Sequence, residues 1–116
     1  MNAESSFFTM LVMVGGIFTI AGIVMYLVPP KKINFLYGYR TTNSMKSQEK
    51  WNFAQQYSSK LMAFIGLILM ATSVIGLFYS YSEKIDFGIG IGIVLGSIVY
   101  LFFQTENALI KQFPNT

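Results

Sequence analysis

Cysteine and histidine are both absent from the 116 residues, and charge is scarce: eight Lys or Arg and five Asp or Glu make 11% of the chain. Without cysteine there is no disulfide framework, no thiolate nucleophile and no iron–sulfur ligation. Without histidine as well, the usual nitrogen and sulfur ligands of structural zinc and the commonest general base are gone. The five carboxylates are scattered over four segments, so no metal site, cofactor or catalytic residue is expected. A soluble domain carries about 25% charged residues, more than twice the share found here. Apolar residues make 53% of the chain and the mean hydropathy is +0.53. That balance argues against a disordered tail, a secreted disulfide scaffold and a conventional soluble enzyme domain.

What the chain does have is three uninterrupted uncharged windows, residues 7–28, 61–81 and 87–103. As helices they reach roughly 33, 31 and 25 Å, against a hydrocarbon core of about 30 Å, so each can cross a bilayer. The first is stopped by Pro29-Pro30, since proline lacks an N–H and pushes its predecessor out of the helical region. A cleaved signal peptide needs a basic leader, a short apolar core and a small-residue cleavage site. Here the leader carries Glu4, the apolar run is 22 residues long, and Lys31-Lys32 follows the prolines. Tyr79 and Tyr81 fall where an aromatic belt is expected, and the short polar stretch 82–86 leaves room only for an antiparallel hairpin of the second and third spans.

Six of the eight basic residues, Lys31, Lys32, Arg40, Lys46, Lys50 and Lys60, lie in the loop 29–60. Concentration of positive charge in one inter-span loop reads as topology before it reads as nucleic-acid binding, and no direct nucleic-acid contact is expected. It predicts a cytoplasmic loop, an amino terminus outside and a carboxyl-terminal tail, 104–116, inside. The third window alternates glycine with apolar residues. It follows no strand and spaces its glycines G-x-G-x-x-x-G, so it is not a dinucleotide loop. At helical spacing Gly88, Gly92 and Gly96 share one face as two successive G-x-x-x-G steps, suited to close helix packing within one chain or between copies in a homo-oligomer. Small residues also recur at Gly15, Thr19 and Gly22, and at Ala63, Gly66, Ser73 and Gly76.

The loop carries most of the chemistry. Asn34 and Gly38 favour turns, and Tyr37-Gly38-Tyr39-Arg40-Thr41 sets amphipathic rings beside a guanidinium suited to phosphate or carboxylate. Ser47 fits a helix N-cap with Glu49 in the first turn, and Thr41 and Ser44 fit turn hydroxyls. Trp51, Ala54, Tyr57 or Ser58, and Leu61 recur at steps of three or four, predicting an amphipathic helix at the interface that either turns or runs straight into the second span. Trp51 reads as an interfacial anchor. Arg40 has a general reading, a contact to lipid phosphate or the capping of a helix end from the interface, and a specific one, an ion pair with Glu49.

Tyr37-Gly38-Tyr39-Arg40-Thr41, Ser44-Met45-Lys46-Ser47, Glu49-x-Trp51 and Phe53-Ala54-Gln55, followed by a span, together resemble the SdpI-type immunity proteins, small bacterial multi-pass membrane proteins. The likeness covers about 25 residues of loop, and one span before with two after fits it. The name member of that family is longer, with further spans; it protects a sporulating cell from its own secreted killing peptide and helps hold a repressor at the membrane. The resemblance implies that Gly38, Tyr39, Arg40, Thr41, Ser44, Met45, Glu49, Trp51, Ala54 and Gln55 form the motif or partner-binding surface.

The expectation is one all-α membrane domain, residues 1–116, with three transmembrane helices and an amphipathic helix in the first loop. Its expected partners are membrane lipid, a peptide toxin and a cytoplasmic repressor. The alternative is a small accessory subunit of a transporter or membrane enzyme, which the absence of ionisable residues inside the spans disfavours.

Overall fold

A computed structural model describes residues 6–34, 36–79 and 82–114. It is all-helical, with no strand among those residues. Helix α1 spans Ser6–Leu27, α2 Gln48–Ser73, α3 Ile75–Phe78 and α4 Glu83–Gln112. Three stretches are long and apolar enough to cross a membrane: α1, α2 with α3, and α4. Expected Tyr81 lies outside the described residues, and Tyr79 is exposed.

Local chemistry accounts for the ends. Ser47 is extended and its hydroxyl accepts from Lys50 N at 3.1 Å, capping α2 with Glu49 in the first turn. Ser82 does the same for α4, accepting from Ile85 N at 3.2 Å. The helix expected inside the loop and the second span are one continuous helix, so the choice between turning and running on is decided for α2. Its break comes later, at Val74. There the Ser73 hydroxyl donates to Met70 O at 2.5 Å, a local bond that competes with the helical ladder.

α1 and α2 run antiparallel in close contact. A Cβ on Gly66 would lie 2.5 Å from Gly15 O, one on Gly15 2.7 Å from Gly66 O, and one on Gly22 2.5 Å from Ala63 N. These crossings are backbone against backbone, so only glycine permits them. The apolar core around them comprises Phe7, Leu11, Ile65, Leu69 and Leu101.

The third span packs differently from the expectation. Gly88, Gly92 and Gly96 have no atom within 4 Å of where a Cβ would sit, so they do not pack tightly inside the chain. The contact glycine is Gly90, whose added Cβ would meet Met10 Sδ at 3.0 Å. Two residues along a helix is a rotation of about 200°. Turning Gly90 onto α1 therefore turns the G-x-x-x-G face outward. Large apolar side chains, including Ile17, Ile20, Phe64, Leu67, Leu95 and Val99, are exposed along the helices, as in a bundle whose solvent is hydrocarbon.

At 30 residues α4 is about 45 Å long, more than a bilayer core requires. It does not stop at Phe103: residues 104–112, expected to be a tail, continue the helix. The overhangs of α2 and α4 lie at the same end of the bundle, where α1 gives way to the loop.

Candidate functional site

The loop folds onto those overhangs in a series of short hydrogen bonds. Beyond Pro29-Pro30, Asn34 Oδ1 accepts from Leu36 N at 2.9 Å and Tyr37 N at 2.8 Å, an Asx turn that reverses the chain. The Tyr37 hydroxyl then reaches back to Val28 O at 2.8 Å. Gly38 has φ +99°, a left-handed conformation open to glycine, and a Cβ there would meet Gln55 Oε1 at 2.5 Å and Pro30 Cγ at 2.6 Å.

That turn delivers Tyr39 to Gln55. Tyr39 N donates to Gln55 Oε1 and Gln55 Nε2 donates to Tyr39 O, both at 2.6 Å, so a single amide satisfies both main-chain groups of a buried residue. Thr41 and Ser44 bond reciprocally: Thr41 N donates to Ser44 Oγ at 2.9 Å and Ser44 N to Thr41 Oγ1 at 3.1 Å. Below them the Trp51 indole N–H donates to Pro30 O at 2.6 Å. Lys50, 3% exposed, places its ammonium 3.2 Å from Asn43 Oδ1.

The third span closes the assembly. Glu106 Oε2 accepts from the Tyr39 hydroxyl at 2.6 Å and from Thr41 Oγ1 at 2.9 Å. The Tyr39 ring lies 5.2 Å from that of Phe102, and Tyr39, Ala54 and Leu109 form a second apolar cluster. Burial, the hydrogen bond to Glu106 and that carboxylate's negative charge all hold the Tyr39 phenol well above its ordinary range, against a smaller opposing effect of Thr41.

Of the residues the sequence singles out, the structure brings Gly38, Tyr39, Thr41, Ser44, Trp51, Ala54 and Gln55 into this one assembly. Met45 is half-buried at its edge, its N–H bonded to Thr41 O at 3.1 Å. Arg40 and Glu49 are exposed. Trp51 is no interfacial anchor: it is fully buried, because the loop covers the face of α2 that carries it.

Sequence reasoning missed Glu106, Asn43, Pro30 and the face of α4 that carries Leu101, Thr105 and Leu109. All three of those α4 residues are buried, at steps of four. That spacing was the available signal that the helix goes on past Phe103. The Thr105 hydroxyl is buried without a hydrogen-bond partner among the described residues. Among the same residues, no three or more carboxylates gather to hold a metal ion. The loop's hydrogen bonds to α2, to α4 and within itself make a clamp of it.

The model of the family described as the SdpI/YfhL protein family matches residues 31–104, which include the clamp except Val28, Pro30 and the Glu106 end of α4. A protein of Bacillus subtilis (strain 168) named YfhL, described there as uncharacterized, is 53% identical over 55 residues. The match covers 47% of this chain and 50% of that protein, so the chain spans about half the length of the curated relative it matches. No solved structure matches. With the family match extending over most of the chain and taking in the clamp from Gly38 to Gln55, this protein belongs to the SdpI/YfhL family.

Proposed function

We propose that this protein is a non-enzymatic multi-pass protein of the cell membrane that protects against, or senses, a membrane-active peptide. The SdpI/YfhL family is not a known enzyme family. The observation that carries the reading is the clamp. The motif's polar groups are spent on holding the loop against α2 and α4, which suits a surface that recognises a partner better than a centre that turns over a substrate. Arg40, Lys46 and Glu49 are exposed beside the clamp. They form the surface on which a cytoplasmic repressor would dock, while the apolar faces of the helices meet lipid and the peptide. The clamp is cytoplasmic and the amino terminus outside, a topology supported by the six basic residues of the loop.

Survival of cells with and without the protein, challenged with a panel of membrane-active peptides, tests the proposal. Expression protects against at least one peptide, and Gly38→Val, which breaks the turn, abolishes the protection. Unchanged survival across the panel would sink it. A reporter fused to the carboxyl terminus that is active only outside the cell would overturn the topology.

A further inference from the structure

Between the carboxyl-terminal end of α1 and the overhang of α2 lie two cavities that share the ring of Tyr26. The first, about 420 Å³, is polar at its rim and includes Pro29, Lys31, Asn52 and Gln56 in its lining. The second, about 330 Å³, is an apolar groove between Gly22, Ile23 and Leu27 of α1 and Ala63, Phe64 and Leu67 of α2. Lys60 also lines it, with its ammonium 5.4 Å from the centre of the Tyr26 ring. Asn52, Gln56 and Lys60 recur at steps of four, so two amides and a cation lie in a row down one face of α2. Lys31 faces that row across the first cavity.

The end of a helix ordinarily presents carbonyl oxygens that repel an anion. In the loop just beyond α1, which ends at Leu27, the carbonyls that would add to that repulsion are occupied: Val28 O accepts from Tyr37, Pro30 O from Trp51, Lys31 O from Gln48 and Lys32 O from Asn34. No carboxylate lines either cavity. The rim therefore offers ammonium and amide groups, and it continues into an apolar trough along the membrane-spanning parts of α1 and α2.

We propose that the two cavities form one binding site for an anionic phospholipid. Its phosphate sits among Lys31, Asn52, Gln56 and Lys60, and one acyl chain lies in the groove between α1 and α2. The groove selects a lipid over free phosphate, and the lysines select an anionic headgroup over a zwitterionic one. Because Pro30 and Gln55 belong both to the cavity wall and to the clamp, the bound lipid braces the motif loop.

The full chain, purified in a neutral detergent and offered equal amounts of phosphatidylglycerol and phosphatidylcholine, is read by native mass spectrometry. The wild type retains phosphatidylglycerol in preference by roughly tenfold or more, the order expected of two lysines at an anionic headgroup. The preference disappears in K31Q/K60Q and persists in K84Q, whose lysine is at the other end of the bundle. Unchanged Trp51 emission shows that each variant is folded; if the double variant is not, K31Q alone is read in the same way. Equal retention of the two lipids, preference undiminished in the lysine variants, or equal loss in K84Q overturns the proposal. Displacement of the lipid by millimolar inorganic phosphate overturns the groove, leaving a site for a simple anion.

Discussion

The phenol of Tyr39 donates a 2.6 Å hydrogen bond to Glu106, 67 positions further along the chain. It joins the loop between the first two spans to the overhang of the third, and Thr41 shares the same carboxylate oxygen at 2.9 Å. A hydrogen bond to a charged acceptor in a partly buried site is among the stronger ones.

Tyr39→Phe and Glu106→Gln should each destabilise the protein by roughly 1–3 kcal/mol. Their effects should overlap, with the double variant less destabilised than the sum of the two. Thermal unfolding of the four proteins in detergent, followed by Trp51 emission, measures this. Simple additivity would show that the two side chains act separately.

The same contact sets the alkaline behaviour. The folded protein holds the Tyr39 phenol protonated above the roughly pH 10 at which a tyrosine in the unfolded chain ionises. Its contribution is therefore fully present below about pH 10 and is lost as pH rises from there towards the folded value, because the unfolded state releases the proton first. In a spectrophotometric titration one tyrosine should resist ionisation until the protein unfolds, and Tyr39→Phe should remove that component.

Trp51 is the chain's one tryptophan and is buried against Pro30. Its emission should be insensitive both to aqueous quenchers and to bromine carried on lipid chains, whereas an interfacial anchor would respond to at least one of them. Trp51→Phe removes the donor to a buried carbonyl and should cost about 1–3 kcal/mol in thermal unfolding.

Glycine substitutions should separate the two kinds of glycine in the bundle. Gly66→Ala drives a methyl into the backbone of α1 and should cost about 1–3 kcal/mol. Gly92→Ala meets open space and should be neutral or stabilising by up to about 1 kcal/mol, since alanine is the better helix former. If Gly92→Ala instead weakens the protein and lowers its apparent mass in detergent, that face pairs with a second copy.

Much of this architecture can be read from local rules. The three windows, the stop at Pro29-Pro30 and the cap at Ser47 follow from hydropathy, proline stereochemistry and hydroxyl chemistry, each acting over a few neighbouring residues. The motif likewise identified most of the clamp, including Gly38, whose positive φ and closeness to Gln55 explain why glycine stands there.

Pairings between distant surfaces were not legible. Glu106, Gln104 and Lys111 end the apolar window, so 104–112 reads as a polar tail, although Leu101, Thr105 and Leu109 keep one face buried. Gln55 belongs to the motif that the resemblance names, but its pairing with the backbone of Tyr39 has no sequence signature. The scarcity of charge and the absence of cysteine and histidine determined the solvent, the number of spans and the chemistry the protein does without. Only the tertiary structure decided that Trp51 faces inward, that Gly90 rather than Gly92 meets α1, and that Glu106 holds the loop. Hydropathy and periodicity specify which residues share a face; which two faces meet depends on close packing and on the hydrogen bonds that buried polar groups must find.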